Sequence, residues 1–127
     1  MKKDKEVFGL FITDIHLSKD NGQLVKSLFK QVFKICKERS ISKIFCGGDV
    51  FTNRVGQPLS CLDGFKEIVD SLAKAKLNFY KIPGNHDKTD AESVNSYLDH
   101  FYSPNYIISK EGEVHFFSQN IVVAMIP

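Results

Sequence analysis

Three stretches of this chain share one design: Val7-Phe8-Gly9-Leu10-Phe11-Ile12-Thr13-Asp14-Ile15-His16, Lys43-Ile44-Phe45-Cys46-Gly47-Gly48-Asp49, and Leu77-Asn78-Phe79-Tyr80-Lys81-Ile82-Pro83-Gly84-Asn85-His86-Asp87. Each is a short apolar run that ends in polar residues. The steps between them are equal, 35 residues from Asp14 to Asp49 and 35 from Asp49 to Gly84. That is about the length of one strand–helix unit in a parallel sheet. In such sheets ligands bind just beyond the carboxyl ends of the strands. The spacing therefore predicts that Asp14, His16, Asp49, Asn85 and the pair His86-Asp87 meet at one sheet edge. Carboxylate, imidazole and amide oxygen together suit a hard or borderline divalent metal rather than a soft one.

The intervening segments read as helices. Leu24, Val25, Leu28, Phe29, Val32, Phe33, Ile35 and Cys36 form a wide apolar stripe over residues 22–39, at helical period. Pro58 suits the first turn of a second helix, which Leu62, Phe65, Ile68, Val69 and Leu72 give a buried face. Thr89-Asp90-Ala91-Glu92 has capping-box spacing ahead of Val94, Tyr97, Leu98, Phe101 and Tyr102, which predicts a third amphipathic helix. Beyond Pro104, the runs 106–109, 114–118 and 121–126 read as strands with turns at Gly112 and Gln119-Asn120, a short β-meander. The fold class is α/β, in the order β-α-β-α-β-α followed by that meander, with the first three strands parallel and the last three either extending this sheet or beginning a second one.

The 127 residues, 43% of them hydrophobic, suffice for one domain with a real core. A net charge of +2 is too mild to point to nucleic acid by itself, and the lysines of Met1-Lys2-Lys3-Asp4-Lys5 read as a solvated tail. Cys36, Cys46 and Cys61 are odd in number and lack C-x-x-C spacing, so buried reduced thiols are expected rather than a disulfide framework or zinc finger. Neither a secretory leader nor an apolar run long enough to span a membrane is visible, and the expected compartment is the cytoplasm.

Asp14-Ile15-His16, Gly47-Gly48-Asp49 and Gly84-Asn85-His86-Asp87 together resemble the signature of the calcineurin-like metallophosphoesterases: D-x-H, then G-D, then G-N-H-[DE]. The resemblance assigns Asp14 and His16 to one metal, Asp49 to a bridge between two, Asn85 to the second, and His86 to the scissile phosphate. Gly47-Gly48-Asp49-Val50-Phe51 resembles the DNA-repair nuclease branch, the SbcD-like exonucleases. Thr52-Asn53-Arg54 departs from the protein phosphatase branch, which places an Asp-Arg pair there. The resemblance implies two divalent ions, Mn²⁺ in this branch, DNA as substrate and an SMC-like ATPase as partner.

The same resemblance implies a four-layer αββα sandwich, of which residues 1–127 are the amino-terminal portion. The family's further His and its G-H-x-H have no counterpart after Asp87, where only His100 and His115 occur. These two read as a helix-surface and a strand histidine. The expectations are a metal-activated water attacking a phosphodiester, weak or no turnover by these residues alone, and self-association or a partner over the apolar strands of 114–126. A phosphomonoesterase or nucleotide hydrolase, or a catalytically incomplete fragment, is the alternative. For Asp87 two readings stand: a partner that orients the His86 imidazole, or a turn residue.

Overall fold

The computed structural model describes residues 6–90 and 92–127; the lysine run 1–5 and Ala91 of the expected capping box lie outside them. Four strands, β1 (Leu10–Ile12), β2 (Lys43–Cys46), β3 (Asn78–Lys81) and β4 (Tyr106–Ile108), form one sheet in the order β1-β2-β3-β4. All three pairings are parallel, in the register Ile12↔Cys46↔Lys81↔Ile108 across the edge that carries the motifs. Helices α1 (Gly22–Arg39) and α2 (Leu59–Lys74) make the first two crossovers.

Alternation along the strands sorts the two faces. Ile44, Cys46 and Phe79 meet Val25, Phe29, Val32 and Cys36 of α1 and Phe65, Ile68, Val69 and Leu72 of α2 in one buried core. Phe45 and Tyr80 point the other way, onto an antiparallel hairpin of β5 (Glu113–Ser118) and β6 (Ile121–Met125). There Phe117 meets both rings edge-on, at 5.8 Å from Phe45 and 5.3 Å from Tyr80. The layers are therefore helices, parallel sheet and hairpin. All three cysteines are free and buried, as their spacing predicts.

Two expectations need correction. The run 106–109 is a fourth parallel strand, so the expected three-stranded meander reduces to the β5–β6 hairpin. The third helix does not form either; residues 97–100 make only a short 3₁₀ turn. The cause is local competition for the backbone. Asp90 accepts from the Glu92 N–H at 3.0 Å, Ser93 from Asn95 at 3.2 Å and Ser96 from Leu98 at 3.2 Å. Such side-chain bonds favour turns over helix. Part of the apolar set still packs inward: Leu98 is in the core and Phe101 meets Phe65 edge-on at 4.7 Å, while Val94 and Tyr102 are exposed.

Lys81 ends β3 on the helix-covered face and is fully buried, with no carboxylate partner among the described residues. Its Nζ donates to the carbonyls of Phe79 (3.0 Å) and Ile107 (3.2 Å) over the Tyr106 ring. Burial pushes the ammonium down to about 6. The unfolded lysine keeps its ordinary value, so between these limits the unfolded chain binds the extra proton. Stability then rises with pH, by ~1.4 kcal/mol per unit across that window, and is lost as pH falls toward 6. Lys81→Met should remove this slope. Urea unfolding should find the variant more stable at pH 6.5, with the advantage shrinking by pH 9.5. A difference independent of pH would contradict the assignment.

Candidate metal site

The three motifs leave the ends of β1, β2 and β3 as turns that hold one another. Past the strands the first two turns stay paired: Asp14 N–H donates to the Gly48 carbonyl (3.1 Å), His16 N–H to Asp49 (3.1 Å) and Leu17 N–H to Val50 (2.7 Å). Asp14, His16 and Asp49 all adopt left-handed backbone, with φ of 55°, 52° and 52°. Among the described residues only Ser40 and Lys76 join them as non-glycine residues with positive φ, and both follow helices. Aspartate and histidine visit this region more readily than most residues. Three such residues on two facing turns still store strain of ~1 kcal/mol or more each, a pattern that clusters at functional sites.

This backbone brings together one oxygen of Asp14, one ring nitrogen of His16 and one oxygen of Asp49, all within 4.8 Å of one another. His16 Nε2 lies 3.3 Å from Asp14 Oδ1. Two ligands of one cation, each ~2.1 Å from it, would stand ~3 Å apart. Donor types and spacing therefore fit a divalent ion. The Thr13 hydroxyl, 2.7 Å from Asp14 Oδ2, and then the His16 ring hold the Asp14 carboxyl below its usual range. That keeps it ionised, the form a metal needs. The site is open: the Asp14 and His16 side chains are 55% and 40% exposed.

The third turn closes on the second. The His86 N–H donates to Asp49 Oδ1 at 3.0 Å, which orients that carboxylate. Gly84 backs onto Asp49 so closely that a Cβ there would lie 2.1 Å from Oδ1. Asn85 follows directly, exposed on the first position of a 3₁₀ turn spanning Asn85–Asp87. The His86 ring stands 5.5 Å from that of His16, and its Nδ1 meets the Thr52 carbonyl at 2.8 Å.

Asp87 behaves as the turn residue of the two readings. Its buried carboxylate accepts from the N–H groups of Phe51 (3.0 Å) and Gly84 (2.9 Å), and the imidazole of His86 is held by Thr52 instead. Burial raises the Asp87 carboxyl above its ordinary value, with the two N–H donors working against it. Of the two other histidines, His115 in β5 bonds Ser109 Oγ at 3.0 Å, and His100 is exposed at the end of the 3₁₀ turn. Neither belongs to the ligand cluster. The roles of Thr13 and Thr52 escaped the sequence reading, because a threonine beside an acidic motif carries no signal of its own.

No helix among the described residues is long and apolar enough to cross a membrane. No curated protein matches the chain. The family model of the calcineurin-like phosphoesterases, however, matches residues 10–123, from the first residue of β1 into β6 and through all three motif turns; the chain belongs to that family.

Proposed function

We propose that this chain is a metal-dependent phosphodiesterase acting on DNA, with Asp14, His16, Asp49 and Asn85 as cation ligands and His86 at the scissile phosphate. The observation that carries the reading is the convergence of Asp14, His16 and Asp49 on strained backbone at one sheet edge. Two divalent ions, Mn²⁺ in this proposal, would supply an activated water and clamp the phosphate oxygens. Asp49 is the natural bridge, since the His86 N–H occupies only part of its oxygens' accepting capacity. His86 points its free Nε2 away from Thr52; protonated, that nitrogen can stabilise the phosphate or protonate the leaving oxygen. Asp87 serves by fixing the turn that carries Asn85 and His86.

The match of Gly47-Gly48-Asp49-Val50-Phe51 to the nuclease branch supports DNA. An SMC-like ATPase partner, a homo-oligomer and a cytoplasmic setting belong to the same proposal. Because neither His100 nor His115 joins the cluster, we expect these 127 residues to turn over slowly.

The test is hydrolysis of linear duplex DNA, bis-p-nitrophenyl phosphate and p-nitrophenyl phosphate with Mn²⁺ or EDTA. The chain is compared with a version extended through a G-H-x-H motif. Diester cleavage that needs Mn²⁺ and quickens on extension is expected. Preference for the monoester would overturn the diesterase reading, and equal turnover by both chains would overturn the incomplete-site argument.

A further inference from the structure

Thr52 sits where the three turns cross. Its N–H donates to the Leu17 carbonyl (3.2 Å) and its hydroxyl to the His16 carbonyl (2.9 Å), while its own carbonyl faces Nδ1 of His86 at 2.8 Å. A carbonyl can only accept, so Nδ1 carries the proton and Nε2 is left free. The aim of that carbonyl depends on the peptide plane joining Thr52 to Asn53. The bonds to Leu17 and His16 fix only the upstream side of this plane. Downstream, residues 53–56 are all exposed, Val55 at 93%, so burial does not hold them.

Two polar clamps do. The Gln57 side-chain amide donates to the Asn53 carbonyl. The Tyr97 hydroxyl donates to the Arg54 carbonyl at 2.6 Å and accepts from the Gly56 N–H at 2.7 Å. Gly56, at φ 104°, takes a conformation open to glycine and has empty space around it, so these bonds are what confine it. Tyr97 is itself anchored. Its ring meets Phe51 edge-on at 6.1 Å, and its neighbour Leu98 is fully buried. The hydroxyl is thus a rigid post reaching from the β3–β4 connection across to the turn after β2.

We propose that Tyr97 is a positioning residue: its hydroxyl pins the 53–56 turn so that the Thr52 carbonyl holds His86 as the Nδ1–H tautomer, with Nε2 turned to the cation ligands. Only the catalytic consequence rests on the role given to His86 above; the tautomer does not.

Tyr97→Phe keeps the ring and removes the post. Nitrogen NMR of the full chain at pH 8 should show wild-type His86 as the Nδ1–H form, with the Gly56 amide protected from exchange. In the variant the Nε2–H form should appear and Gly56 should exchange ~10-fold faster or more. Diester turnover should drop ~10-fold with KM and Mn²⁺ affinity unchanged, the signature of a misplaced group rather than a lost ligand. Simple destabilisation would lower the melting temperature and leave the tautomer alone. A variant that keeps the Nδ1–H form, or a wild-type Gly56 amide that exchanges like a free peptide, would overturn the proposal; the latter decides even if the variant fails to fold. A shifted tautomer, where even the version extended through a G-H-x-H motif cleaves no diester, would uphold Tyr97 and defeat the phosphodiesterase reading.

Discussion

Gly84→Ala should abolish divalent-cation binding although it removes no ligand. The added Cβ would lie 2.1 Å from Asp49 Oδ1, 2.7 Å from its Cγ and 2.4 Å from its backbone nitrogen. A flexible side chain could step aside, but a backbone atom cannot without moving the turn. The opposing glycine leaves no relief, since a Cβ on Gly48 would already stand 2.6 Å from the Gly84 nitrogen. Gly84 itself has an ordinary φ of −84°, so the demand here is for space rather than for unusual backbone. Separating the turns breaks the His86 N–H bond that orients Asp49 and carries Asn85 away with it. Loss of such orienting contacts typically costs 10–100-fold in metal affinity, and displacement of the ligand itself should cost ~10²-fold or more. The fold should lose ~2–4 kcal/mol, the range for overpacking a tight site. Calorimetric titration of Mn²⁺ into both chains checks the first figure and urea unfolding the second. Wild-type affinity in the variant would mean that the turns are not in the contact described.

In the chain extended through a G-H-x-H motif, His86→Ala should act the other way, lowering turnover by ~10²–10⁴-fold while sparing the metal. Alanine keeps the backbone N–H that bonds Asp49, so the ligand cluster should survive. Only the imidazole goes, with its bond to the Thr52 carbonyl and its contact with the His16 ring. The loss corresponds to ~3–5 kcal/mol of transition-state stabilisation. Single-turnover rates with Mn²⁺ saturating, alongside calorimetry, separate the two effects. Metal loss equal to that of a ligand variant such as Asp49→Ala would make His86 a ligand and overturn its assignment.

Much of this was legible in the chain because the signal was periodic. Equal 35-residue steps fix where strands end, and parallel pairing of β1, β2 and β3 then forces Asp14, Asp49 and Gly84 to one edge. Where the pattern was local it misled. Thr89-Asp90-Ala91-Glu92 has the spacing of a helix start, yet Asp90, Ser93 and Ser96 each bond backbone two residues on and hold the segment in turns. The run 106–109 has the composition of a strand, but nothing in it distinguishes a parallel partner of β3 from the first arm of a meander. The contacts that position the site were hidden for a different reason. Tyr97 lies 43 residues from Arg54 and Asp87 36 from Phe51, and such long-range bonds to backbone depend on tertiary approach, which no spacing encodes.

Mn²⁺ titration of the wild-type chain, followed residue by residue through paramagnetic broadening in NMR spectra, tests the central claim most directly. Signals of Asp14, His16, Asp49 and the turn Asn85–Asp87 should vanish first, at sub-stoichiometric ion, while those of His100 and of the Ser109–His115 pair persist. Broadening that begins at His115, or spreads evenly over the surface carboxylates, would show that Asp14, His16 and Asp49 do not form the cation site on which the account rests.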